Sequence, residues 1–272
     1  MINSIKKYGI FIYEKYPKLR PFIRILNSIV FRPKPKFSGW KMTTYHEVPW
    51  KDEYQGNVFR KASKDLNSFE ITRGHEEGIK DGSLNWRHWI VSTAIRYALN
   101  FTETKNINVV ECGVGDGLSA FILLREIVDK YNKKYSCYLY DSWGVMKKED
   151  LIETSKPSTN KYAELDIERT KKNLLEFNDN IIFHQGYIPE SFQMGEHPEK
   201  IIYMHIDVNS SKPTANALEF FYPRLASNGV ILFDDYGWGG YDQTKNVVDK
   251  FFAEKPGILF KYPTGQAMYI HK

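Results

Sequence analysis

From residue 85 onward the chain switches repeatedly between two hydrophobic periodicities. "LNWRHWIVSTAIRYALNF" sets Trp86, Trp89, Ile90, Thr93 and Tyr97 at the spacing of one helical face. "INVVECGVGDG" is a short β-branched run that breaks into glycines, and "LSAFILLREIVDKY" follows as a helix. "YSCYLYDSW" reads as a strand ending at Asp141, "AELDIERTKKNLLEF" as an amphipathic helix and "NIIFHQG" as a third strand. "IIYMHIDV" is a fourth strand, "TANALEFFYPRL" a helix closed by Pro223, and "GVILFDD" a fifth strand. "GILFKY" and "QAMYIH", joined by the turn "PTG", form a terminal hairpin. Strands that alternate with crossover helices predict an α/β fold. The expected sheet is mostly parallel and seven-stranded, with a C-terminal antiparallel hairpin and helices on both faces.

In such sheets ligands bind beyond the carboxyl ends of the strands. Four of the first five strands end in an acid: Glu111, Asp141, Asp207 and Asp234. Between the first strand and its helix, Glu111, Gly113, Gly115 and Gly117 spell E-x-G-x-G-x-G. A dinucleotide fingerprint spaces its glycines G-x-G-x-x-G around a pyrophosphate. Here the third glycine comes one position early, and Glu111 suits a cationic or hydroxyl-rich ligand. Asp141 is positioned to accept ribose hydroxyls, so the pair fits S-adenosylmethionine. Asp234 and Asp235 are adjacent like charges that repel unless a cation or proton shares their site; a solvated turn is the plain alternative.

The two cysteines, Cys112 and Cys137, sit in apolar strand-like runs, which predicts buried thiols in a reducing compartment and not a disulfide scaffold. The chain shows neither a spanning apolar run nor a signal peptide, so a cytoplasmic protein is expected. The net charge of +5 is uneven, because residues 1–36 hold nine Lys or Arg and one Glu. That stretch sums to +8 and leaves −3 for the rest. It also sets Phe22, Ile25, Leu26 and Ile29 on one helical face before Pro33 and Pro35. A basic helical extension over 1–36 is expected. Two readings stay open: contact with an anionic membrane surface or an acidic partner, or packing on its own domain or a sister subunit in a homo-oligomer. The remaining chain has no basic stripe, so no nucleic-acid partner is expected.

From about residue 37 to the end the chain resembles the class I S-adenosylmethionine-dependent methyltransferases. Within them it is similar to the macrocin O-methyltransferase group, which modifies sugar hydroxyls. The resemblance rests on "VECGVGDGLSA", "YDSW", "QGYIPESF", "IDVNSSKPTANALEFFYPRL", "GVILFDDYG" and "YPTGQAMYI". It implies a Rossmann-like methyltransferase domain over 37–272. The implied cofactor set is Glu111, Gly113, Gly115, Gly117, Ser119, Asp141, Ser142 and Gly186. The implied divalent-metal ligands, usually for magnesium, are Asp207, Asp234 and Asp235. The implied acceptor is a hydroxyl of a sugar or glycosylated small molecule; a cell-surface or lipid-linked glycan is the alternative, as is a non-catalytic nucleoside-binding module.

Family members often carry an Asp two residues past the fourth-strand metal ligand, or a His after the second strand, as base. This chain has Asn209 at the first place and no His in 142–165. Asp235 and His75, in "TRGHEEG", are the candidate catalytic bases, while His205 is expected to be a buried structural imidazole. Two polar, aromatic-bearing stretches, within about 37–84 and 142–165, are expected to act as lids. Trp143 is read either against the adenine or in the core, and "YGWGGY" either on a sugar ring or in plain packing.

Overall fold

The computed structural model describes residues 15–22, 25, 34–72, 75–104, 106–151 and 162–272. Most of the basic 1–36 segment, and residues 152–161 of the second lid, lie outside the described residues. The chain divides into two compact units. One is Met1–Ser38 with Thr43–Glu47; the other is Gly39–Met42 with Val48–Lys272. The described part of the first unit holds a 3-10 turn at Pro17–Leu19 and an ion pair between Lys36 and Glu47 at 2.8 Å. No helix among the described residues is long and apolar enough to cross a membrane.

The second unit is built on the expected seven-stranded sheet. Its strands are β1 (Ile107–Cys112), β2 (Tyr135–Asp141), β3 (Ile181–Gln185), β4 (Ile201–Ile206), β5 (Leu225–Phe233), β6 (Gly257–Lys261) and β7 (Ala267–His271). Their spatial order is 3-2-1-4-5-7-6. The first five strands run parallel, and β7 is antiparallel to both β5 and β6. All six residues of β4 are buried, as a strand covered on both faces requires. The helices are α1 (Asn57–Asp65), α2 (Asn85–Phe101), α3 (Leu118–Arg125), α4 (Ile167–Asn173), α5 (Ser211–Phe221) and α6 (Asp242–Phe252). The predicted helix after the glycine loop runs as α3 and then continues as a π-helical stretch, Glu126–Tyr131, closed by Asn132 in the left-handed region.

Helix α1 lies in a stretch read from the sequence as part of a lid, although Phe59, Ala62 and Leu66 fall at i, i+3 and i+7 of one helical face. Phe59 and Ala62, joined by Leu66 just beyond, are buried, and Val58 is half-buried. Phe59 meets Trp89 edge-on at 5.2 Å, and Trp50 meets Trp86 at 5.1 Å. Aromatic edge contacts of this kind, more than a long apolar stripe, anchor the segment. Cys112 and Cys137 are free and buried, as expected.

Candidate functional site

Sheet register assembles the site. Cys112 pairs with Tyr140 on one side and with Ile206 on the other, and Ile206 pairs with Phe233. One residue further along, Gly113, Asp141, Asp207 and Asp234 therefore share a rung at the carboxyl edge. Backbone bonds continue the ladder through that rung: Gly113 donates to the Tyr140 carbonyl at 2.8 Å, Asp207 to Cys112 at 2.8 Å and Asp234 to Ile206 at 3.0 Å. A Cβ at Gly113 would overlap the Asp207 carbonyl, so only glycine permits this approach of β1 to β4. Gly115 has open space around it but needs its φ of +55° to turn the loop.

The rung opens into a cavity of about 1110 Å³. Its wall includes Gly113, Gly115, Ser119, Asp141, Ser142 and Gly186 toward the β1–β3 side. Asp207, Asn209, Asp234, Asp235, Trp238 and Tyr241 lie toward β4 and β5, with Trp40, His75 and Arg87. Of the expected cofactor set, Glu111 and Gly117 do not reach this wall. Glu111 is fully buried behind the loop: its Oε1 accepts from the Ser119 hydroxyl and lies 2.7 Å from His205 Nδ1. The hydrogen bond to this carboxylate places a proton on His205 Nδ1. His205 is buried, as expected, and its Nε2 stands 3.9 Å from Asp234 Oδ1.

Asp141 holds the loop. Its Oδ2 accepts from Val114 N at 2.6 Å and Gly115 N at 2.9 Å, and its Oδ1 from Trp143 N at 2.7 Å. Burial pushes this carboxyl's pKa up, and the three amides pull it back. A carboxylate has about four lone-pair positions, so one on Oδ1 remains for a ligand hydroxyl. Trp143 is buried in the protein body: its Nε1 donates to Gly115 O at 3.1 Å and to Thr170 Oγ1 at 2.9 Å. Asp116 gives no signal of its own among the glycines. It is buried, accepts both the amide and the hydroxyl of Thr72, and pairs with Arg169 Nε at 2.8 Å. These bonds tie the residue 72 segment and α4 to the loop.

Asp207, Asp234 and Asp235 converge, each offering an oxygen within 4.8 Å of the others. Three carboxylates are a hard oxygen donor set that fits a divalent cation. Asp234 is already engaged at both oxygens. Gln266 Nε2 donates to its Oδ1 at 2.8 Å, and Arg87 Nη2 contacts its Oδ2. Arg87 projects from the start of α2, is buried, and lies 5.3 Å from the Trp40 ring centre and 5.0 Å from that of Trp238. Burial lowers its pKa, while Asp207 and Asp235 raise it again. A divalent ion would therefore share Asp234 with a resident guanidinium. Neither Arg87 nor Gln266 stands out in the sequence: the first looks like one more residue of a helix, the second like part of a terminal hairpin.

Asn209 stands beside the triad with a φ of +56°. Tyr162 and Tyr241 donate their hydroxyls to its Oδ1 at 3.0 and 2.8 Å, and its Nδ2 lies 3.5 Å from Asp207 Oδ1. Burial first, then Asp207 and Asp235, push both phenol pKa values up, so both tyrosines act as hydrogen-bond donors. His75 stacks 6.3 Å from Trp40, at the mouth of the short helix Glu76–Lys80. From "YGWGGY", Trp238 and Tyr241 face the cavity, whereas Tyr236 belongs to the core.

The strand order 3-2-1-4-5-7-6, with a glycine loop after β1 and an acid closing β2, is the Rossmann-like fold of class I methyltransferases. Residues 110–236 match a family described as "Methyltransferase domain". The chain is similar in structure to the O-methyltransferase NovP, with a TM-score of 0.63 at 15% identity, over 80% of this chain and 98% of that one. It is also similar to CalS11, a calicheamicin methyltransferase, with a TM-score of 0.51 at 15% identity, over 83% of this chain and 94% of that one. No curated protein sequence matches the chain.

Proposed function

We propose that the protein is an S-adenosylmethionine-dependent O-methyltransferase whose acceptor is a hydroxyl of a sugar or glycosylated small molecule, with a divalent cation at Asp207, Asp234 and Asp235. The observation that carries this reading is the single rung on which Gly113, Asp141, Asp207 and Asp234 meet at one cavity. The names of NovP and CalS11 agree with it. So does the resemblance to the macrocin group.

When bound, S-adenosylmethionine would supply an already activated methyl group, and the cation would make an acceptor hydroxyl more acidic. The protein's work is then placement. The glycine loop lets backbone approach the nucleoside closely, and Asp141 offers its remaining lone pair to a ribose hydroxyl. Asn209, held by Tyr162 and Tyr241, presents its amide to the acceptor side and orients a hydroxyl there without taking its proton. We assign that proton to an oxygen of Asp235, in the cavity wall; His75 is the second candidate. Fixing the oxygen in line with the methyl carbon at near-contact distance supplies most of the rate.

The test has two parts. Titration calorimetry with S-adenosylhomocysteine measures the nucleoside site. Incubation with S-adenosylmethionine and a panel of nucleotide sugars and glycosides, with and without EDTA, then looks by mass spectrometry for one added methylene. Binding without turnover on any acceptor would favour the nucleoside-binding module. Turnover unaffected by EDTA would remove the cation from the proposal.

A further inference from the structure

Three converging carboxylates, Asp234 buried and Asp207 half-buried, favour positive charge nearby, because an uncompensated charge taken out of water is costly. Arg87 supplies it. Its Nη2 contacts Asp234 Oδ2, and its guanidinium lies 5.3 and 5.0 Å from the Trp40 and Trp238 ring centres, beside an indole pair that meets edge-on at 5.9 Å. Arg87 Nη1 is buried and finds no acceptor among the described residues. Gln266 Nε2 holds the other Asp234 oxygen at 2.8 Å and also reaches the Arg87 carbonyl at 3.4 Å. Asp234 is thus turned toward Arg87 and fixed there by a neutral side chain.

We propose that Arg87 is the resident counter-ion of the triad and competes with divalent cations for Asp234, so that loading a cation requires the guanidinium to leave that carboxylate while staying against the two indoles. The inference rests on the reading of Asp207, Asp234 and Asp235 as a cation site. It adds a residue that sets how tightly that site binds. A guanidinium whose Nη1 has no acceptor is held less firmly than one engaged through its whole fork, and can be displaced here. The two aromatic faces give it somewhere favourable to remain. If the ion pair is made in about 99 of 100 metal-free molecules, the apparent cation affinity falls about a hundredfold.

The experiment uses the full chain, stripped of metal by chelation, and Mn2+ as the probe. Mn2+ binding is followed by electron paramagnetic resonance for the unmodified protein, Arg87→Met and Arg87→Gln. Thermal melting and S-adenosylhomocysteine affinity check folding. Both variants are expected to bind Mn2+ about a hundredfold more tightly than the unmodified protein. Equal or weaker binding by the variants overturns the competition while leaving the cation site intact. Absence of Mn2+ binding in all three proteins overturns the cation site and the competition with it. A second measurement needs no variant. Titrating the unmodified protein with Mg2+ should change its tryptophan emission, because the guanidinium shifts against Trp40 and Trp238. Emission that stays constant while the same titration displaces bound Mn2+ overturns the proposal.

Discussion

Replacing Asp141 tests how the glycine loop is held, because one carboxylate there organises three backbone amides. In Asp141→Asn the side chain keeps one acceptor oxygen and gains an NH2 group. If the oxygen faces Val114 and Gly115, which now approach Oδ2 at 2.6 and 2.9 Å, the NH2 faces the Trp143 amide, now 2.7 Å from Oδ1. The opposite flip orphans two amides, so the first arrangement wins. One charge-assisted bond is then lost, about 1.5–3 kcal/mol, and the two that remain weaken to roughly half their strength. Against this, a neutral amide is cheaper to bury than a carboxylate whose pKa burial already raises. The net expectation is about 2 kcal/mol less stability for the loop in its nucleoside-ready shape. That corresponds to roughly a thirtyfold weaker S-adenosylhomocysteine affinity.

Asp141→Ala leaves all three amides without that acceptor and should weaken binding further. The assay is calorimetry on the three proteins, paired with melting curves with and without ligand. Ligand stabilisation should shrink in the same order, since it follows the ratio of ligand concentration to Kd. Unchanged affinity in Asp141→Ala would refute the reasoning outright. Weaker binding by the Asn variant than by the Ala variant would show that a misplaced donor outweighs a missing acceptor.

Three further outcomes are expected. Asp234→Asn should abolish turnover while leaving S-adenosylhomocysteine affinity within about threefold, a shift under about 1 kcal/mol; equal loss of both would put Asp234 in the nucleoside site or the fold. Asn209→Asp keeps the two tyrosine donors and adds a proton acceptor beside Asp207, whose charge raises the new carboxyl's pKa. A rise in kcat of about tenfold above neutral pH is expected, and an unchanged pH–rate profile would show that the proton leaves elsewhere. His88 is buried, and burial first, then Arg87, lowers its pKa to about 3. The unfolded chain, near the reference 6.5, takes up a proton that the native state refuses, so this contribution is complete above that value and lost as pH falls toward 3. Between about pH 7 and 4.5 the loss is about 2.5 kcal/mol. Denaturant melts of the unmodified protein and His88→Gln should diverge across that window, and parallel curves would exclude His88 as the source.

Much of the site was legible because a parallel sheet converts sequence position into register. Each strand announced its end by a break from apolar to acidic or glycine residues. Neighbouring strands pair in step, so residues just past those breaks meet: Asp141, Asp207 and Asp234 on one rung, Gly113 between them. Glu111 fell outside that logic. It lies one residue inside β1, where its side chain turns behind the loop to Ser119 and His205. Periodicity named the strand but placed Glu111 at the cavity, one step too far along. Helix α1 lay outside that logic for a different reason. Phe59, Ala62 and Leu66 do repeat at i, i+3 and i+7, but the helix is short, stands alone in a polar stretch far from the strand pattern, and is anchored by large aromatic partners from 50, 86 and 89.

The charge balance of the site was not legible at all, and the reason is topological. Acids at strand ends reveal themselves because their strands share a direction, whereas the groups that neutralise them arrive from elements with no fixed register to the sheet. Arg87 comes from α2, which precedes β1 in the chain yet packs against β4 and β5. Gln266 comes from the turn before β7, an antiparallel strand. Arg87 belongs to none of the blocks that carry the family resemblance, and Gln266, though it stands within "YPTGQAMYI", carries nothing there that points to Asp234. Such groups have a physical reason to be there: three carboxylates with oxygens within 4.8 Å of one another repel, and a cation beside them relieves that repulsion. Acids stacked on one rung of a parallel sheet therefore imply a buried cation close by. The helix packed over those strands is the place to look for it, here the helix bearing Arg87.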